Sequence, residues 1–258
     1  MIHHVPVTGG TLVAEVTGEG PTLVFLHGFS LDRRMWQPQI AAFSATHHCL
    51  SYDLRGFGQS SLPEGEYDHV TDLLAVLDAL TEGPVVLVGL SLGANVALAF
   101  AAHHPERLSR LILASSGLMG HDWGAEERPP SAADRIARIE GVEAARQFWL
   151  DHALFQPLQE VPEARALVER QVRDYSGWHW QEPGRGAKIA ATGPLERIET
   201  ETLVISGDRD VEGYRSIAGL IAAQLPNARL QRLAQGGHMC NLDAAEAFNQ
   251  TLATWLTP

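Results

Sequence analysis

The sequence predicts an α/β protein in which a doubly wound, mostly parallel sheet carries a helical cap insertion. Short, wholly apolar runs recur along the chain, and such runs are typical of strands that are covered on both faces, as in a parallel sheet. Segments with apolar residues at helical spacing lie between them, so strand and helix alternate. A long helical stretch between residues 117 and 199 interrupts this alternation.

The elements of the first half follow in order from these patterns. A strand is predicted at 11–16, and the turn Gly18-Glu19-Gly20-Pro21 follows it. The later strands of this half are predicted at 22–26, 49–52, 85–88 and 108–114, and its helices at 36–43, 70–80 and 95–102.

The stretch from 117 to 199 predicts helices only. These are expected at 132–139, 142–155 and 163–175, divided by Gly141, Pro157 and Pro162. Strands return at 203–206 and 229–233, each followed by a helix, at 214–224 and 244–256. We therefore expect a core formed by residues 1–116 and 200–258, and a helical cap of residues 117–199 that lies across one edge of the sheet.

Composition and charge exclude several classes of function. The chain has 258 residues, 45% of them hydrophobic and 19% charged, as expected of one globular domain with an insertion. Its 31 acidic and 19 basic residues give a net charge of −12, and without a Lys/Arg run this argues against nucleic-acid binding. The single lysine, Lys188, precedes Ile189 and not the Ser or Thr of a P-loop, which excludes that motif. Pyridoxal phosphate would need this one lysine for its Schiff base, and we expect none to bind. No HExxH or similar cluster is present, so we expect no metal and no cofactor.

The sequence also indicates where the protein acts. Cys49 and Cys240 are the only cysteines and form no CxxC pair, as expected of buried thiols in a reducing compartment. The first residues lack the pattern of a secretory signal, and no apolar run reaches the ~18 residues that a transmembrane helix needs. We expect a cytoplasmic protein with no membrane partner. The oligomeric state, including a homodimer, stays open.

The motif Gly89-Leu90-Ser91-Leu92-Gly93 indicates a nucleophilic serine. A predicted strand enters it and a predicted helix leaves it. A nucleophile on such a turn adopts a strained backbone conformation, and glycine two positions to either side relieves the crowding. The Ser91 hydroxyl is then exposed above the carboxyl edge of the sheet, beside a helix N-terminus that favours negative charge.

Serine becomes nucleophilic only when a base removes its proton, so a histidine and an orienting acid should follow Ser91. His238 follows the last predicted strand in the glycine-rich loop Gln235-Gly236-Gly237-His238. The acid should come from the loop after the preceding strand, Gly207-Asp208-Arg209-Asp210, which offers two aspartates. The order Ser, Asp, His is the one that this architecture uses.

These residues resemble the α/β-hydrolase family over essentially the whole chain outside the cap. The landmarks are His27-Gly28-Phe29, the stretch 53–60, the serine motif, the two-aspartate loop and Gly236-Gly237-His238. The resemblance implies the α/β-hydrolase fold and selects Asp210 as the catalytic acid, with Asp208 structural, because the family uses the second acid of its G-x-x-D pattern. One departure is Tyr214, which stands where many relatives have proline.

The resemblance also implies an oxyanion hole formed by two backbone N–H groups. They belong to Leu92, which follows the nucleophile, and to Phe29, which follows the His-Gly pair. In relatives the histidine of that pair buttresses the loop, so His27 is interpreted as structural. Asp53 and Arg55 are interpreted as a local turn and charge pair.

Within the family, residues 27–36 and 53–61 resemble small bacterial carboxylesterases and cofactor-free perhydrolases, and residues 236–249 resemble enol-lactone hydrolases. The resemblance therefore implies a small-molecule ester substrate and an acyl-enzyme on Ser91, with a lactone substrate as the alternative. Because the nucleophile is serine, haloalkane dehalogenases and epoxide hydrolases are excluded. Hydroxynitrile lyases, carbon–carbon bond hydrolases and non-catalytic ligand receptors keep a serine triad and stay open.

Aromatic residues of the cap are the candidates for the wall of the acyl pocket. Several of them fall near one face of a predicted helix, which favours packing over substrate contact for most of the set. The candidates are Trp123, Phe148, Trp149, Phe155, Tyr175 and Trp178.

Overall fold

The computed structural model describes residues 1–123, 129–181 and 184–257, and within them eight strands form one sheet. In chain order the strands are β1 (Ile2–Val7), β2 (Gly10–Thr17), β3 (Thr22–Leu26), β4 (His48–Tyr52), β5 (Val85–Leu90), β6 (Leu108–Ala114), β7 (Thr202–Gly207) and β8 (Ala228–Leu233). Across the sheet their order is β1-β2-β4-β3-β5-β6-β7-β8. The pairs β1–β2 and β2–β4 are antiparallel and the other neighbours are parallel. The predicted fold class is confirmed.

Helices cover this sheet and fill the long connection between β6 and β7. In the described residues the α-helices are α1 (Gln37–Phe43), α2 (His69–Leu80), α3 (Leu92–His103), α4 (Pro129–Glu140), α5 (Val142–Leu150), α6 (Pro162–Asp174), α7 (Trp178–Gln181), α8 (Glu212–Gln224), α9 (Cys240–Asp243) and α10 (Ala245–Leu256). Short 3₁₀ helices lie at Arg33–Trp36, Pro105–Arg107, Ala153–Glu160 and Leu195–Arg197. No helix in the described part of the chain is long and apolar enough to cross a membrane.

Several elements differ from the sequence-based expectation, among them α7 and α9, two helices of four residues that were not predicted. Strand β1 was not predicted, because only Val5 of its six residues is buried and Pro6 interrupts it, which an edge strand tolerates. The helix expected at 142–155 ends at Leu150, and a 3₁₀ helix continues from Ala153. The His152 side chain accepts a hydrogen bond from Leu154 N at 3.2 Å. This bond caps the start of the 3₁₀ helix, just after α5 has ended.

The described part of the cap contains helices and no strand. It packs against the loop that follows β3. Asp32 N donates to Gln171 Oε1 at 3.0 Å, and Arg34 Nη2 lies 2.7 Å from Asp174 Oδ2. The division of the chain at residues 117 and 199 stays a prediction.

The parallel strands bring the predicted site residues to one edge of the sheet. In register, Leu26 of β3 is opposite Gly89 of β5, and Gly207 of β7 is opposite Leu233 of β8. The loops that carry Phe29, Ser91, Asp210 and His238 all follow the carboxyl ends of these strands, where ligands bind in open α/β sheets.

Candidate active site

Ser91 lies on a strained turn between β5 and α3. Its φ is 54° and its ψ is −108°, in the left-handed region that residues other than glycine rarely adopt. The flanking glycines allow two close backbone contacts. A Cβ added at Gly89 would lie 2.4 Å from Gly93 O, and one added at Gly93 would lie 2.2 Å from Leu26 O. The spacing of the motif is therefore required by the turn itself.

His238 and Asp210 form a buried hydrogen-bonded pair. The imidazole Nδ1 lies 3.0 Å from Asp210 Oδ1 and 2.9 Å from Oδ2, and both side chains are buried. A carboxylate only accepts, so Nδ1 carries a proton, and in the neutral ring Nε2 then keeps a free lone pair. This tautomer is the one that a general base needs.

The structure distinguishes the two aspartates of the loop after β7. Asp210 contacts His238, whereas the Asp208 carboxylate lies 3.7 Å from Arg232 Nη1 near the surface. The backbone of Asp208 is tied into the fold, because its N–H donates to Leu233 O at 3.0 Å and its carbonyl accepts from Arg215 Nη1 at 2.6 Å. Asp208 is thus a structural residue of the loop.

A cavity of about 350 Å³ opens onto Ser91. Phe29 and Leu92 line it together with Tyr214, whose ring centroid lies 4.2 Å from that of His238. The Tyr214 ring thus lines the cavity and also packs against the His238 imidazole. Among the described residues no hydrogen bond joins the Ser91 hydroxyl to His238. Catalytic hydrogen bonds are often long before substrate is bound.

Phe29 and Leu92, the residues predicted to supply the oxyanion donors, line the same cavity. Leu92 is the first residue of α3, where an N–H group has no intrahelical acceptor. Phe29 lies in the loop after β3. Neither N–H group donates to another described residue, and the helix N-terminus adds a favourable dipole for negative charge.

His27 supports the loop after β3 with two hydrogen bonds. It is fully buried, its Nδ1–H donates to Gly28 O at 2.8 Å, and its Nε2 accepts from Leu54 N at 2.9 Å. Burial lowers the pKa of His27 below its ordinary value and so favours the neutral ring that this pattern requires. The structural interpretation of His27 agrees with these contacts.

Asp53 and Arg55 are also structural, but they do not pair with each other as expected. Arg33 Nη1 lies 2.5 Å from Asp53 Oδ2, and Arg55 Nη2 lies 2.5 Å from Asp72 Oδ1. Because the two side chains of one turn find partners on different elements, sequence proximity suggested the wrong pair.

His179 is a cavity residue that sequence reasoning missed. It stacks on Phe57 with centroids 4.3 Å apart and an interplanar angle of 15°. Its Nδ1 lies 2.9 Å from Tyr175 Oη, and its Nε2 lies 3.3 Å from Tyr67 Oη. Burial, with a smaller contribution from nearby His27, lowers the pKa of His179 to about 3, so the ring is neutral. No motif surrounds His179 in the sequence, so no signal pointed to it.

Of the six aromatic candidates in the cap, Trp123 lines the cavity. Phe148 is exposed and Trp178 is half-buried outside the cavity wall. The other three are buried in packing, as most of the set was expected to be: Trp149, Phe155 and Tyr175.

The chain is similar to known proteins in both sequence and fold. The sequence model of the alpha/beta hydrolase family matches residues 23–251. The fold is similar to that of the enol-lactonase from Burkholderia xenovorans, with a TM-score of 0.85 and 26% identity over 99% of this chain and 100% of that chain. A malate-bound thermophilic esterase from Thermogutta terrifontis gives a TM-score of 0.84 and 26% identity over 99% and 98%. By sequence, the (E)-2-((N-methylformamido)methylene)succinate hydrolase of Acinetobacter baylyi is 27% identical over 253 residues, 93% of this chain and 91% of that protein.

Proposed function

Because the chain belongs to the alpha/beta hydrolase family, we propose that it is a serine hydrolase that cleaves carboxylic esters through an acyl-enzyme. The observation that carries the proposal is the His238–Asp210 hydrogen bond, which fixes the imidazole tautomer beside a cavity that opens onto Ser91. Nucleophile, base and orienting acid are then Ser91, His238 and Asp210.

In the proposed reaction the Ser91 hydroxyl oxygen bonds to the ester carbonyl carbon while its proton passes to His238 Nε2. The carbonyl electron pair moves onto oxygen, and the N–H groups of Phe29 and Leu92 stabilise that charge. When the tetrahedral adduct collapses, the C–O bond to the alcohol breaks and His238 returns the proton to the leaving oxygen. Water, deprotonated by the same imidazole, then releases the acid and restores Ser91.

Initial rates with p-nitrophenyl acetate, butyrate and octanoate test this proposal. We expect turnover in the wild type and its loss in Ser91→Ala. Ser51→Ala is the matched control, because Ser51 is a buried serine of β4 whose hydroxyl has no partner among the described residues. Ser51→Ala should keep the wild-type rate, and equal turnover in Ser91→Ala would refute the serine mechanism.

A lactone is the second candidate substrate, supported by the similarity to the enol-lactonase over nearly the whole chain. The chemistry is the same, but the leaving alkoxide stays tethered to the acyl group. Ring opening of lactones by the wild type, faster than hydrolysis of an open-chain ester with the same acyl length, would favour this substrate class.

Carbon–carbon bond hydrolysis and ligand reception without turnover remain alternatives on the same residues. Fluorophosphonate labelling combined with turnover assays separates them from an esterase, because the reagent labels any competent serine triad whatever its substrate. Labelling of Ser91 with no turnover of esters or lactones would leave these two classes, which a carbon–carbon substrate would then divide.

A further inference from the structure

Aromatic side chains of the cap enclose the ring of Phe29. The core contributes Phe57, whose centroid lies 5.6 Å away. The cap contributes four more rings at centroid distances of 6.1, 5.8, 5.8 and 5.9 Å, from Trp149, Tyr175, His179 and Trp180. The loop that carries one proposed oxyanion donor is therefore packed mainly against the cap.

One polar link accompanies this packing. The indole Nε1–H of Trp149 donates to Ser30 Oγ at 2.7 Å, and the Ser30 hydroxyl donates to the Phe29 carbonyl at 2.6 Å. Trp149 and Ser30 are both buried, so water does not compete strongly for these bonds. Ser30 has a φ of 62°, a conformation that a serine keeps only where its surroundings hold it.

The Phe29 N–H belongs to the peptide between Gly28 and Phe29, and both this peptide and the next one are anchored by hydrogen bonds. On one side His27 Nδ1–H holds Gly28 O at 2.8 Å. Because the C=O and N–H of a trans peptide point in opposite directions, this bond directs the Phe29 N–H away from His27. On the other side Ser30 holds the Phe29 carbonyl. The core supplies the first anchor, and the cap supplies the second through Trp149.

We propose that Trp149 is a positioning residue for the oxyanion hole: its indole N–H, acting through Ser30, fixes the peptide that follows Phe29 and so limits rotation of the Phe29 backbone, which keeps the Phe29 N–H in place for the reacting carbonyl. The inference rests on the proposed serine mechanism, since it assigns the Phe29 N–H to the oxyanion. Its consequence is that docking of the cap on the core completes the catalytic site as well as covering it.

A pair of tryptophan variants tests the role of the indole N–H. Trp149→Phe and Trp180→Phe both replace a buried indole that packs on Phe29, but the Trp180 Nε1 has no partner among the described residues. We expect kcat to fall about tenfold in Trp149→Phe with KM nearly unchanged, because a misdirected donor loses part of the transition-state stabilisation. Trp180→Phe should stay within about twofold of the wild-type kcat. Equal kcat losses in the two variants, or a change in KM alone, would overturn the proposal.

Ser30→Gly provides the second arm and serves as the test if Trp149→Phe does not fold. Glycine removes the hydroxyl and accepts the positive φ, so folding should be preserved. We expect a kcat loss at least as large as in Trp149→Phe, with no further loss in the double variant, because both act through one link. Independent, multiplying losses would contradict the link.

The rate of Ser91 labelling by a fluorophosphonate distinguishes failure of this inference from failure of the proposed function. Labelling requires the serine and the oxyanion hole but no particular ester. If the wild type turns over no ester, the substrate assignment is wrong, and slower labelling of Trp149→Phe than of Trp180→Phe still supports the positioning role. Equal labelling rates refute it.

Discussion

The ring of Tyr214 packs against the imidazole of His238 at a centroid distance of 4.2 Å. The ring also contacts Trp123, with centroids 5.2 Å apart, and it lines the cavity that opens onto Ser91. Tyr214 therefore limits the space beside the proposed general base and supports its ring.

Replacement of Tyr214 by alanine should change the acyl-chain preference. Loss of the ring enlarges the cavity beside Ser91, so the rate ratio of p-nitrophenyl octanoate to acetate should rise roughly tenfold, the scale that pocket shape sets for apolar groups. Tyr214→Phe keeps the ring and should keep the wild-type ratio. An unchanged ratio in Tyr214→Ala would show that Tyr214 does not limit the acyl group.

The two aspartates of the loop after β7 allow a matched comparison. Asp210→Asn keeps the size of the side chain but removes the carboxylate that holds the Nδ1 proton of His238, so kcat should fall roughly 10³- to 10⁴-fold. Asp208→Asn changes a carboxylate that faces Arg232 near the surface, and its kcat should stay within about twofold of the wild type. Similar losses in both variants would mean that Asp210 acts through the loop and not through the imidazole.

The sequence predicted best those parts of the structure that local chemistry determines. Strands β3 and β6 have the predicted bounds, and most of their residues are apolar and buried, as expected of strands that are covered on both faces. The serine turn was predictable for a similar reason, since Gly89 and Gly93 leave a recognisable spacing where a side chain would meet the backbone.

Contacts that join distant segments could not be predicted in this way. Trp149 and Ser30 are 119 positions apart, and nothing in either segment indicates that they meet. His179 lies on a helix of four residues, too short for a periodic pattern, so its place in the cavity depends on how the cap packs. Asp53 and Arg55 illustrate the same limit, because their partners come from other elements.

The close backbone approach at Gly93 should make it intolerant of any side chain. Gly93→Ala would place a Cβ 2.2 Å from Leu26 O, so backbone must move and the free energy of unfolding should fall by about 2–3 kcal/mol. Gly219→Ala is the control, because Gly219 lies within α8 and nothing is within 4 Å of its added Cβ. Alanine there should raise the free energy of unfolding by about 0.5–1 kcal/mol. Urea denaturation measures both values, and a stable Gly93→Ala protein would contradict the geometry of the turn.

His179 should make the protein less stable as the pH falls. Burial lowers its folded pKa from 6.5 to about 3, so below pH 6.5 the unfolded chain binds a proton that the folded protein refuses. The stability contributed by the neutral ring is thus present above pH 6.5 and is lost progressively as the pH falls towards 3. Between pH 7 and pH 5 this linkage amounts to about 2 kcal/mol.

The variant His179→Gln isolates this contribution from those of other groups. An amide does not titrate and offers both a donor and an acceptor to the Tyr67 and Tyr175 hydroxyls. Asp243 acts in the opposite direction, because burial raises its pKa to about 6, but it is common to both proteins and cancels in the difference.

Urea denaturation at pH 7 and pH 5 should show the wild type losing about 2 kcal/mol more than His179→Gln. Parallel curves for wild type and His179→Gln would show that His179 is protonated in the folded protein as readily as in the unfolded chain.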